Sequence, residues 1–190
     1  MRTSIPRLSR SGRSLPRLGL VTFPERWAST VGLVRRMCAA ETVINAPAEA
    51  IWAVVADVRR VGEWSAECRG CAWAGDSDAP VPGARFRGDN RRSWLRWTRL
   101  NEIIAAQEPR RLVWRTIPSG LYPDSVEWQV DLVPDDGRTR VRESFVVLVM
   151  PRLMEWLVWL AMPAHRDRTS DLERDLERLK HLVEKVIGHG

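Results

Sequence analysis

The stretch Val43-Ile-Asn-Ala-Pro-Ala-Glu-Ala-Ile-Trp-Ala-Val-Val-Ala-Asp57, closed by Gly62-Glu-Trp64, decides the fold of this chain. It sets a short strand, a proline-started helix and an aromatic turn in one run. Pro47 sits where a first-turn proline is tolerated, because the N–H it lacks would have had no partner inside the helix. Ile51, Trp52 and Val55 then recur at helical spacing, which leaves one apolar face ready to pack on a sheet.

Beyond Glu67 the period changes from helical to alternating. Strands are expected over 68–73, 84–90, 95–106, 111–117, 125–133 and 139–149. Turn-rich clusters separate them, among them Gly75-Asp-Ser-Asp78, Pro80-Val-Pro-Gly83, Pro118-Ser-Gly120 and Pro134-Asp-Asp-Gly137. With the strand at Val43 this makes about seven antiparallel strands in a meander. A charged helix over about 163–187 ends the chain, with Leu172, Leu176, Leu179 and Val183 on one stripe.

Four segments carry a family likeness: Asn45-Ala-Pro-Ala-Glu-Ala-Ile-Trp52, Gly62-Glu-Trp-Ser-Ala-Glu-Cys68, Gly83-Ala-Arg-Phe-Arg-Gly-Asp-Asn-Arg91 and Asp136-Gly-Arg-Thr-Arg-Val-Arg-Glu-Ser144. In this order they resemble the START-like, birch-pollen-allergen-like (SRPBCC) superfamily. Within it they resemble the bacterial polyketide cyclase/dehydrase and lipid transport branch, over roughly residues 40–187. The resemblance implies an α+β helix-grip fold, in which a curved antiparallel sheet wraps around the long C-terminal helix. It also implies a ligand cavity between sheet and helix.

At 190 residues the chain accommodates one well-buried core. The net charge of +6 suggests an anionic partner until it is divided along the sequence. Residues 1–40 hold eight arginines against Glu25, or +7, so the remainder carries −1. A nearly neutral domain lacks the gathered basic surface that phosphate binding needs, so no nucleic-acid partner is expected. Residues 1–37 read as a disordered Arg/Ser-rich tail, and 38–190 as the domain; residues 1–36 are expected to contribute nothing to the fold. Such an acid-poor start also reads as an organellar transit peptide, and Met37 as an alternative translation start. The first of these readings would take the protein elsewhere, but no secretory signal is present and three cysteines cannot all pair, so a reducing, cytoplasmic location is expected. Cys68-Arg-Gly-Cys71 has the spacing of a redox or zinc half-site. It falls in an expected strand with no second Cys/His pair, so neither metal nor cofactor is expected.

Alternation tells which side chains face the concave side. Val126, Trp128, Val130 and Leu132 share one parity, as do Leu112, Trp114 and Thr116. In the last strand Val141, Glu143, Phe145 and Val147 align, which points Glu143 inward among apolar neighbours. A carboxylate there needs an ion-pair partner, a proton, water or a ligand. Arg85, Arg87 and Arg115 are the candidate partners, and a polar anchor for a ligand is the sharper reading. Trp64, Trp97, Trp114, Trp128, Glu143 and Phe145 are the expected ligand-binding residues, since tryptophan offers a wide apolar wall with one donor. Glu143 and His165 are the candidates for proton transfer, although His165 reads first as a solvated residue near the cap of the last helix.

The apolar run from Phe145 to Pro163 is too short and too interrupted, by Pro151, Arg152 and Glu155, for the ~20 residues of a membrane span. It reads as the last strand followed by a helical lid, whose residues 150–162 offer a peripheral membrane or protein contact. Three functions follow. The first is binding or carriage of a hydrophobic small molecule such as a lipid, polyketide or isoprenoid-like compound. The second is a polyketide cyclase or dehydratase using Glu143; the third is an interaction module docking through 150–162. No catalytic constellation is visible in the sequence, which places the enzyme second.

Overall fold

Period-two alternation from Cys68 to Val149 produces one seven-stranded antiparallel sheet in the computed structural model, which describes residues 32–188. The strands are β1 (Met37–Ile44), β2 (Cys68–Ala74), β3 (Arg85–Arg92), β4 (Leu95–Gln107), β5 (Arg111–Thr116), β6 (Ser125–Asp135) and β7 (Arg138–Val149). Their spatial order is β1-β7-β6-β5-β4-β3-β2. The first strand thus closes on the last, and β1 and β2 lie at opposite edges. The segment between them, α1 (Ala48–Val55), a 3₁₀ turn (Val58–Arg60) and α2 (Val61–Trp64), crosses the sheet to connect those edges. Bulges in β2, β4 and β7 bend the strands. The helix α4 (Thr169–Ile187) packs on β1, β7, α1 and α2, and between β7 and α4 lies α3 (Arg152–Ala161). This is the helix-grip architecture.

The core is made by the faces that the periodicity marks. Ile51, Trp52 and Val55 of α1, Leu176, Leu179 and Val183 of α4, and Ile103, Val130 and Val141 of the sheet join one buried cluster. Cys38, Phe145, Val147 and Leu172 form a second, smaller one. Pro47 precedes α1 as its N-cap, with extended backbone, and the helix starts one residue later than the sequence suggests. Gly62 has a packing reason: a Cβ there would stand 2.8 Å from the Arg69 carbonyl oxygen. α2 therefore lies directly against the β2 backbone, and Trp64 is held at 2% exposure.

Two expectations are corrected. The terminal helix is not continuous from 163: a 3₁₀ turn, Pro163–His165, precedes a break, and α4 begins at Thr169. At the break the Asp167 carboxylate accepts the Thr169 N–H at 2.9 Å, while Arg168 turns inward. The second correction concerns the tail. Residues 1–31 lie outside the described residues, but 32–36 pack on the domain. Val34 is buried, Arg36 donates to Glu155 at 3.1 Å, and the Arg35 N–H donates to the Arg166 carbonyl at 2.8 Å. β1 also starts at Met37, well before Val43, because its eight residues pair in register with β7. No helix among the described residues is long and apolar enough to cross a membrane.

Gly62→Ala is expected to destabilise the protein by about 1–3 kcal/mol, since the added methyl forces α2 off β2. Urea unfolding measures it. An unchanged midpoint would show that this approach is not tight.

Candidate functional site

The concave face of the sheet, α3 and the start of α4 enclose a cavity of about 350 Å³. Cross-strand register builds its aromatic wall. Trp114 of β5 lies opposite Trp128 of β6, which lies opposite Phe145 of β7. The two indoles stack with centroids 6.3 Å apart, and Trp128 meets Phe145 at 5.1 Å. Such pairs are the unit of sheet stabilisation, here turned toward the cavity. Trp64 from α2 and Trp97 from β4 complete the wall, while Met154, Leu157, Val158 and Ala161 of α3 cover it. Trp64, Trp97, Trp114, Trp128, Glu143 and Phe145 thus all line one cavity, and His165 lines it too. The opposite face of α3 leaves Leu153, Trp156 and Leu160 exposed.

Glu143 has the inward parity read from the sequence and is only 2% exposed. Its expected arginine partners are not there. Arg85 pairs with Glu102, Arg87 with Asp89 and Arg115 with Glu127, all on the outer face, because their strand parity is opposite to that of the inward set. Among the described residues Glu143 Oε2 has no hydrogen-bond partner. Burial, and after it the charge of Asp175, push the Glu143 carboxyl well above the usual range, against the opposing pull of Arg168. Burial and Asp175 thus favour the neutral, protonated form of Glu143. Trp64 Nε1 is a second buried donor in the wall without a partner.

A second set of charged residues borders the same cavity. Glu67, just ahead of β2, accepts from His165 Nε2 at 2.6 Å and from Arg168 at 2.8 Å. Burial works to raise the Glu67 carboxyl, but the Arg168 charge and the His165 hydrogen bond outweigh it and hold the group at about 2. An ionised carboxylate only accepts, so Nε2 of His165 carries the hydrogen. His165 is accordingly not a solvated cap residue: its side chain is 12% exposed and its ring meets Trp97 edge-on at 6.0 Å. Arg168 also lies 5.0 Å over Trp128, a cation–π contact. Asp171 accepts both guanidinium nitrogens of Arg92, at 2.6 and 3.1 Å. Asp175, one turn on, accepts the Ala66 N–H. Burial raises the Asp175 carboxyl to about 7.

Glu67, Arg92, Arg168, Asp171 and Asp175 are missed by sequence reasoning. Asp171 and Asp175 had a usable signal: they fall beside Leu172 and Leu176 on the buried stripe of α4. Glu67 had none, since its partners His165 and Arg168 lie 98 and 101 residues away. No group of three or more potential metal-ligating side chains occurs among the described residues.

The raised carboxyls give stability a pH dependence. An acid whose folded pKa lies above its unfolded one stabilises the fold while protonated. For Asp175 that contribution is fully present below 3.8 and is lost as pH rises through about 7; Glu143 acts in the same direction. Glu67 has the opposite sign, contributing above 4.5 and losing its contribution as pH falls through about 2. Stability should therefore decline from about pH 4 to about pH 8, by on the order of a few kcal/mol. Asp175→Asn keeps an oxygen for the Ala66 N–H and should flatten the decline in urea unfolding followed against pH. An undiminished decline in the variant would assign the titration to other groups.

Comparison with known proteins agrees with this geometry. The chain is similar to the Corynebacterium glutamicum protein Cgl2372, a polyketide cyclase-like protein, at 25% identity and a TM-score of 0.55 over 83% of this chain and 95% of that one. TTHA0849 from Thermus thermophilus matches at 17% identity and a TM-score of 0.61, over 79% of this chain and 98% of that one. A START superfamily protein from Mycobacterium smegmatis matches at 17% identity and a TM-score of 0.54, over 80% and 99%. No curated protein sequence matches. The family model described as polyketide cyclase / dehydrase and lipid transport matches residues 37–184, the span of the sheet, the lid and nearly all of α4. With most of its length in that match, the chain belongs to the polyketide cyclase / dehydrase and lipid transport family.

Proposed function

We propose that the protein binds or carries a hydrophobic small molecule of lipid, polyketide or isoprenoid-like character, with an oxygen acceptor directed at Glu143. The observation that supports this most is the pairing of an aromatic-walled cavity with three buried polar atoms that lack partners among the described residues, Glu143 Oε2, Trp64 Nε1 and Arg168 Nε. An unpaired buried polar group costs about 1–3 kcal/mol, and a ligand carbonyl or hydroxyl oxygen offsets that loss. Trp64 Nε1 and Arg168 Nε can only donate, and burial favours the protonated form of Glu143, so the fitting ligand supplies an acceptor. A volume of about 350 Å³ lies at the small end of the ~300–1,000 Å³ range of ligand sites, which suits one compact ring system or the head of a longer chain.

A second reading, a cyclase or dehydratase, is favoured by one observation: the Glu67–His165 pair and Glu143 border the same space. In that role Glu143 gives a proton to a substrate oxygen, and His165 is held by Glu67 as the partner group. The third reading, docking through residues 150–162, rests on the exposed Leu153, Trp156 and Leu160, to which a membrane surface or a protein would bind. It requires a filled interior, and the cavity weighs against it as the main role.

Tryptophan quenching by 2-acetylnaphthalene and by 2-ethylnaphthalene tests the anchor. Glu143→Leu should weaken the ketone about tenfold, or about 1.4 kcal/mol, and leave the hydrocarbon unchanged. Glu143→Gln keeps a donor and the shape, so it should retain most of the affinity for the ketone. Equal effects on both probes would rule out the anchor, and a lost fold in both variants would make Glu143 structural. Mass spectrometry of the native protein as purified identifies the ligand.

A further inference from the structure

Cys68 and Cys71 belong to neither the aromatic wall nor the ion-pair set, yet their Sγ atoms stand 3.0 Å apart. Residues three apart in a regular strand point to opposite faces. Here a bulge intervenes: Cys68 is opposite Asn90 while Gly70 is opposite Asp89, so Arg69 is an extra residue and the parity resets. Both cysteines consequently line the cavity. Gly88 on β3, in register with Cys71, leaves them room: a Cβ there would stand 3.4 Å from Cys71 Sγ and 3.8 Å from Cys68 Sγ. The sulfurs need to move only about 1 Å to reach a bond of ~2.05 Å.

We propose that Cys68 and Cys71 are a redox-active dithiol in the cavity wall, which a hydroperoxide oxidises to an intramolecular disulfide. The Cys71 hydrogen bond holds the Cys68 thiol below its ordinary range, which makes Cys68 the nucleophile. Its thiolate attacks the terminal oxygen of the hydroperoxide, the O–O bond breaks, and the thiol proton leaves with the alcohol or water released. Cys68 is then a sulfenic acid. Cys71 sulfur attacks Cys68 sulfur, the S–O bond breaks, and hydroxide departs as water with the Cys71 proton. Two thiols and one hydroperoxide thus give one disulfide, one alcohol or water, and one further water. A dithiol reductant reverses the change by exchange. Cys68 is 7% exposed and reached from the cavity, which selects a small oxidant over a bulky disulfide. The proposal stands independently of the ligand reading.

Arg69 makes the test direct, because trypsin cuts between the two cysteines and separates residues 61–69 from 70–85. The full chain is treated with hydrogen peroxide and digested without reduction. The expected result is loss of both free-thiol peptides and gain of a linked 61–69/70–85 pair, reversed by dithiothreitol. In Cys71→Ser the pair is absent, and Cys68 sulfenic acid is trapped by dimedone. Cys38, which donates to Asp167, remains outside the link. Sulfinic acid on either peptide without the linked pair, a link to Cys38, or a link between two chains would overturn the proposal.

Discussion

Arg168 is the contact on which the interior depends. It occupies the break between the 3₁₀ turn and α4, and from there its guanidinium reaches four elements. It donates to Glu67 ahead of β2, lies 4.0 Å from Asp171 on α4, and sits over Trp128 of β6 and Phe145 of β7. Removing one partner of a buried pair leaves the other charge unpaired, at a loss of about 3–5 kcal/mol. Glu67 would lose its nearest cation and keep only the His165 hydrogen bond and Arg92 at 3.9 Å, so the loss there falls below that range.

Around that cation the buried carboxyls divide into two kinds. Glu67 and Asp171 have direct guanidinium partners, Arg168 for the first and Arg92 for the second. Glu143 and Asp175 have none at hydrogen-bond distance, and burial drives them toward the neutral form. One wall of the cavity therefore offers a fixed anion already occupied by its own donors, and the other offers protons. This asymmetry follows from where the arginines project. Arg85, Arg87 and Arg115 lie on the outer face, so Glu143, set between Ala40 of β1 and Val130 of β6, is not met by any of them.

The lid is tied to the same frame from the other side. Glu155 of α3 is 5% exposed and accepts from Arg36 and from the Val34 N–H. The residues just before β1 thus hold the helix that covers the cavity. α3 divides its apolar residues between two duties, with Met154, Leu157, Val158 and Ala161 over the cavity and Leu153, Trp156 and Leu160 outward.

The sequence by itself determined the order of elements and the inward parity of Trp114, Trp128, Glu143 and Phe145, while the helix-grip architecture was implied by the family resemblance. These properties are local: a period of two or of 3.6 is written in adjacent residues, and turn clusters mark where it stops. It also placed the lid, because a run broken by Pro151, Arg152 and Glu155 is too short to span a bilayer. Tertiary structure decided the rest. Whether Glu143 meets an arginine depends on the outward parity of Arg85 and Arg87 on β3 and of Arg115 on β5, and whether His165 is solvated depends on Glu67, 98 residues earlier. The packing of Val34 and Arg36 required α3 to be in place, so a stretch with no periodicity of its own read as a tail. The Cys68–Cys71 approach turned on a single inserted residue, Arg69, in a strand that reads as regular. Alternation cannot reveal a bulge, since the extra residue changes the pairing with β3 and leaves no mark in the composition of β2.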